Sequence, residues 1–116
     1  MAFNRERSSV GVNSCEILFP LHEIDSFNGD ELKKYILTIV DEVDAVIIDF
    51  SKVVYLNSSG LRELIQIMKI ITEKSKNLYL TRLSEDIMKI FSHTNLDRLF
   101  TFRDTLQGAL DEIGTN

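Results

Sequence analysis

The run Ala45-Val46-Ile47-Ile48-Asp49-Phe50 is short, almost wholly apolar and rich in β-branched residues. A strand with one wet face alternates apolar and polar residues. A run without alternation reads as a strand buried on both faces, as in a sheet covered by helices. The rest of the chain supplies the cover. Leu32, Tyr35, Ile36, Ile39, Val40 and Val43 recur at helical spacing, and that helix is predicted to begin near Asn28, with Asn28 as N-cap and Glu31 three residues on. A second helix runs from Leu61 to about Lys74. A third follows Ser84, a natural N-cap, and carries Ile87, Met88, Ile90 and Phe91. The last carries Leu106, Ala109, Leu110 and Ile113. Strands are predicted at Cys15–Leu21, Asn77–Leu83 and around Phe100–Arg103, with Ser51–Leu56 a short connection. Residues 1–14 are polar and read either as an irregular edge strand or as a loose tail. Strands alternating with helices predict right-handed crossovers and a parallel or mixed sheet, an α/β fold.

With 116 residues there is room for one domain, and 44% hydrophobic with 27% charged residues is a globular balance. The net charge of −5 works against nucleic acid and anionic membranes, and no basic patch compensates. Cys15 is the sole cysteine, so no internal disulfide can form and a reducing, cytoplasmic setting is expected. The opening MAFNRERSSVG lacks the apolar core of a signal peptide, and no apolar run approaches a membrane span. His22 and His93 stand far apart without cysteine partners, so neither a metal nor another cofactor is expected. No nucleophile–base pair or paired carboxylates can be named, and no glycine fingerprint follows a strand. An enzyme is not expected.

The most informative stretch is Asn57-Ser58-Ser59-Gly60, which opens the second helix. Asn57 or Ser58 can cap that helix, and Gly60 lets another backbone approach closely. On local chemistry the turn is first of all a well-capped helix start. Along the helix, Leu61, Leu64, Ile65, Met68 and Ile71 form a core stripe. Ile67 and Ile70 widen the apolar arc beyond one buried face. Either a neighbouring helix or the N-terminal segment covers them, or they form an exposed patch for a partner or for self-association as a weak homodimer, flanked by Arg62 and Glu63.

The segment Asp49-Phe50-Ser51-Lys52-Val53-Val54-Tyr55-Leu56-Asn57-Ser58-Ser59-Gly60-Leu61 resembles the STAS-domain pattern, in which a strand ending Asp-Leu-Ser is followed by an apolar stretch and Asp-Ser-Ser-Gly-Leu. Glu23-Ile24-Asp25 is similar to the family's Glu-Leu-Asp, and Thr94-Asn95-Leu96-Asp97-Arg98-Leu99-Phe100 to its Thr-Gly-Leu-Asp-Arg-Leu-Phe. The resemblance spans about residues 15–113. It implies a single STAS-like domain over 15–116, a mixed central sheet with helices packed mainly on one face, and similarity to anti-sigma factor antagonists. In those proteins the first serine after the acidic residue is phosphorylated by the anti-sigma factor, a serine kinase, and a PP2C-type phosphatase resets it. The resemblance places that serine at Ser58, with Ser59 the second choice, and suggests that Asp25, which otherwise reads as a cap or brace of the first helix, lines the partner surface. With the helical arc, that surface is expected to comprise Asp25, Asn57, Ser58, Ser59, Gly60, Arg62, Glu63, Ile67 and Ile70. The other reading is a phosphate-independent STAS scaffold docking onto a larger signalling or transport assembly. Asn57 stands where the antagonists usually carry Asp, which removes a carboxylate beside the proposed phosphate. Asn95 replaces a glycine with the next-best residue for a left-handed turn.

Overall fold

The computed structural model describes residues 2–115. Seven strands are present: β1 Phe3–Val10, β2 Asn13–Pro20, β3 His22–Ile24, β4 Ala45–Asp49, β5 Val53–Leu56, β6 Asn77–Thr81 and β7 Thr101–Arg103. Among the described residues there are also four α-helices: α1 Ser26–Ile39, α2 Ser58–Glu73, α3 Glu85–His93 and α4 Leu106–Thr115. The main sheet has the order β1-β2-β4-β6-β7. β1 and β2 are antiparallel and the other neighbours parallel, so the sheet is mixed. β3 and β5 form a separate parallel pair.

From β2 onward the sheet grows in one direction, with α1, α2 and α3 as successive crossovers. Crossovers share one hand, so helices laid down in one direction land on one face. α4 follows the last strand and crosses nothing, and it packs on the other face. β4 shows the consequence residue by residue. Val46 and Ile48 enter the large core with Leu18, Leu32, Ile36, Leu64, Ile71, Leu80 and Phe91. Ala45 and Ile47 enter a smaller core with Cys15, Ile17, Tyr79, Ala109 and Ile113. All five β4 residues are buried, as the absence of alternation requires.

The structure corrects several expectations. α1 begins two residues before Asn28, and its cap is Asp25, whose side chain accepts from the Asn28 N–H at 2.8 Å. Asn28 is thus the recipient of the cap, and its own amide donates to the Glu23 carbonyl. The connection predicted at Ser51–Leu56 contains β5. α2 begins at Ser58, a turn before the apolar stripe. Ile67 is fully buried and belongs to the large core, while Ile70 is half-buried. A helix wedged between a sheet and a neighbouring helix buries a wider arc than one lying on a flat sheet, and Ile67 fills that extra arc.

Residues Phe3–Val10 form the edge strand, paired with β2 along its whole length. It is poor in apolar residues because only Phe3 is buried. Arg5 lies 4.9 Å over the Tyr35 ring, and Arg7 pairs with the buried Glu16 at 2.7 Å. Charged side chains of this kind discourage further strand pairing at an edge. Glu16 also accepts from the Tyr35 hydroxyl, so its burial is matched by partners.

Candidate functional site

The two-stranded β3–β5 pair sets the geometry of one end of the molecule. Ile24 pairs with Leu56, and each strand leads directly into a helix, β3 through Asp25 into α1 and β5 through Asn57 into α2. The two helix N-termini therefore open side by side. The Asn57 N–H donates to the Ile24 carbonyl at 3.4 Å. Asn57 is the cap of α2, its side-chain oxygen accepting from the Gly60 N–H at 2.8 Å. Of the two capping candidates in the sequence, Asn57 caps, and the Ser58 hydroxyl is left exposed.

Gly60 is buried, and any Cβ there would run into the Ile24 carbonyl, lying 2.6 Å from its carbon and 3.1 Å from the Asp25 Cα. The close approach is what brings the α2 mouth against the Ile24–Asp25 backbone. Gly29 does the same for the two helices, since a Cβ there would sit 2.6 Å from the Glu63 Cβ. Ser59 is half-buried and Arg62 exposed.

Glu63 does not face outward as a docking residue would. Its carboxylate takes a hydrogen bond from Lys33 Nζ at 2.8 Å, with side chains 13% and 20% exposed, and it belongs to the α1–α2 seam. Lys33 also donates to Gln66. Ile67, in the core, is likewise absent from this surface. The exposed apolar residues at this end are instead Phe27 in the first turn of α1, 76% exposed, and Val54 and Tyr55 on β5, 69% and 51% exposed. Sequence patterns hide them: β5 pairs only with three-residue β3, so neither strand is long enough to show which of its faces is uncovered.

Beneath the mouth lies a buried carboxylate. Asp49, at the end of β4, is fully buried. It accepts from Thr81 Oγ1 at 2.7 Å, from Arg82 Nε and Nη2 at 2.8 and 3.1 Å, and from the Ser51 N–H at 3.1 Å. Burial pushes this carboxyl up, but the hydrogen bonds from Arg82, Ser51 and Thr81 outweigh it and hold it below the usual carboxylate range. Arg82 reaches it from a left-handed backbone conformation, φ +55°. The Asp49 latch fixes the turn between β4 and β5, and β5 delivers Ser58. Asn95 adopts φ +58°, the left-handed turn expected of it. Among the described residues no cluster of metal-binding side chains occurs, and no helix is long and apolar enough to cross a membrane.

The STAS domain model matches residues 8–109. The chain belongs to the STAS domain family. A Thermotoga maritima protein named as a candidate anti-sigma factor antagonist is 26% identical over 104 residues, covering 88% of this chain and 92% of that protein. The crystal structure of a candidate anti-sigma factor antagonist from Thermotoga maritima superimposes with a TM-score of 0.83 at 24% identity, covering 96% of this chain and 93% of that one. The anti-sigma factor antagonist SpoIIAA in its unphosphorylated form gives 0.73 at 19% identity, covering 97% of each chain. The phosphorylated form of Bacillus SpoIIAA gives 0.72 at 19% identity, covering 97% and 99%. This STAS domain is thus similar to anti-sigma factor antagonists in sequence and shares their fold.

Proposed function

We propose that this STAS domain acts as an anti-sigma factor antagonist in the cytoplasm, binding an anti-sigma factor serine kinase through the end of the molecule that carries Ser58, and that phosphorylation of Ser58 blocks the interaction. The exposure of Ser58 at the α2 mouth, at the serine position of the family's Ser-Ser-Gly motif, carries this reading. The same end presents Phe27, Val54 and Tyr55, an apolar surface that a partner can cover. In the transfer step the γ-phosphoryl group of ATP held by the partner moves to the Ser58 Oγ, ADP leaves, and the hydroxyl proton passes to a base. A PP2C-type phosphatase returns the serine by hydrolysis.

A phosphate brings about −1.5 to −2 charges at neutral pH. At the helix mouth it meets backbone N–H groups and the positive dipole end, so α2 tolerates it. Set into an otherwise apolar interface to which the partner brings no cation, it has to be desolvated at a cost of several kcal/mol, about a hundredfold in affinity or more. The domain need not refold for the switch to work.

The test is incubation with the cognate kinase and ATP, followed by mass-spectrometric location of the phosphate, alongside capture of the partner by the unaltered chain, Ser58→Ala and Ser58→Asp. Partner retained by the first two and lost by the third supports the proposal. Absence of phosphate from both Ser58 and Ser59 removes the switch. Asn57, in place of the aspartate usual in antagonists, favours the other reading, a scaffold that binds without regard to phosphate. Tight binding indifferent to Ser58→Asp would support that alternative.

A further inference from the structure

Both helix mouths have the same plan, with a cap residue followed by an exposed serine at the first helical position: Asp25 then Ser26 in α1, Asn57 then Ser58 in α2. Their surroundings differ in charge. One turn after Ser26 stands Asp30, and beside it the Asp25 carboxylate. One turn after Ser58 stands Arg62, and beside it the neutral Asn57 amide.

Residues four apart on a helix are neighbours, and side chains lean toward the helix N-terminus, so Ser58 lies within reach of the long Arg62 side chain. An anion placed four residues before a cation is the more favourable order. The nearby carboxylates are already engaged. Glu63 is taken by Lys33, Asp30 by Lys33 and Lys34, and Asp25 caps α1. The half-buried Glu23 on β3 and the exposed Glu85 and Asp86 in the first turn of α3, which packs on β5, are further acids toward this end. Among the described residues Arg62 itself makes no ion pair.

We propose that Arg62 is the side chain that takes the phosphate on Ser58, holding it in place as a paired group. The inference rests on the reading of Ser58 as a phosphorylation site and says how the phosphorylated state is kept. The guanidinium fork suits a phosphate oxygen pair in a way a lysine ammonium does not. Phosphorylation then adds an anion to the docking surface and also withdraws the one uncommitted cation within a turn of Ser58.

The test needs no kinase, so its outcome is separable from that of the switch itself. Phosphoserine is installed at position 58 of the full chain during translation, and the phosphate is titrated by phosphorus NMR at low salt. Arg62→Gln should raise the second ionisation of the phosphate, normally near pH 6, by about 0.2–0.4 pH unit, the size expected of an exposed helical ion pair. Arg62→Lys should raise it by less, and about 1 M salt should erase the difference. In the chain with Arg62 intact, the Arg62 Nε–Hε resonance should move with the same midpoint as the phosphate. A resonance that stays put through that titration overturns the proposal, as does an unchanged phosphate midpoint in a folded Arg62→Gln chain.

Discussion

The mouths of α1 and α2 are capped alike, each by a side-chain oxygen 2.8 Å from the backbone N–H three residues on, yet they are built for different duties. The α1 mouth is closed by charge, with Asp25 as cap and Asp30 drawn into pairs with Lys33 and Lys34. The α2 mouth is electrically open, with a neutral cap and an Arg62 that makes no ion pair among the described residues. An exposed serine opens both helices, so exposure alone does not single out Ser58. What differs between the two hydroxyls is the charge around them. On the proposed reading of Ser58, a modification site is specified as much by the neighbours that receive the new charge as by the residue that accepts it.

The largest way to break the comparison is from below. The Asp49 latch supports the turn that delivers the α2 mouth and does not touch the α1 mouth. Arg82→Ala leaves a fully buried carboxylate short of its main partner, and should cost about 3–5 kcal/mol in urea unfolding. The same latch sets an acid limit. Its folded-state carboxyl lies below the ordinary range, so its contribution is complete above the unfolded value of about 3.9 and is lost as pH falls through the folded one. Asp49→Asn should flatten that part of the stability–pH curve.

Next come the two glycines. Gly60→Ala drives a Cβ into the backbone of Ile24, which cannot move without shifting β3, and should cost about 3 kcal/mol or more. Gly29→Ala drives its Cβ against the Glu63 Cβ, which moves only with α2, beside an ordinary contact to Ile24. A helix can slide more easily than a paired strand, so it should cost less, about 1–3 kcal/mol. Equal losses in denaturant titrations would show that the two close approaches are equivalent after all. Removing the caps, Asp25→Ala or Asn57→Ala, should cost about 1 kcal/mol each. The smallest effect sharpens the contrast. Asn57→Asp should leave unmodified stability within about 0.5 kcal/mol, since the two residues cap equally well. It should raise the second ionisation of a phosphate at Ser58, because a carboxylate then stands beside it, and phosphorus NMR reads that shift.

Much of this architecture was legible in the sequence, and for identifiable reasons. β4 has no alternation because both of its faces are covered. The α2 stripe and the Ser84 cap, which accepts from the Ile87 N–H, follow from local spacing. What escaped depends on distant partners. β5 is four residues long, and its pairing with a three-residue strand leaves no periodic trace. Asp49 stands out within the family motif, but the latch that engages it comes from Thr81 and Arg82, more than 30 residues away. Ile67 looked like surplus apolar surface because a helical wheel does not show how many elements crowd around a helix. At the site itself, the serine and its cap were readable, whereas Phe27, Val54 and Tyr55 came to light only once the faces of a short ribbon were known.

That ribbon has one more implication. Adjacent strands sit about 4.8 Å apart, a spacing held by their hydrogen bonds. Because α1 and α2 spring from neighbouring strands, the separation of their entrances is inherited from a ruler that does not stretch. On the proposed reading, a protein gripping this end would meet two fixed posts, and a change at a single oxygen on one would be registered against the unmoving other.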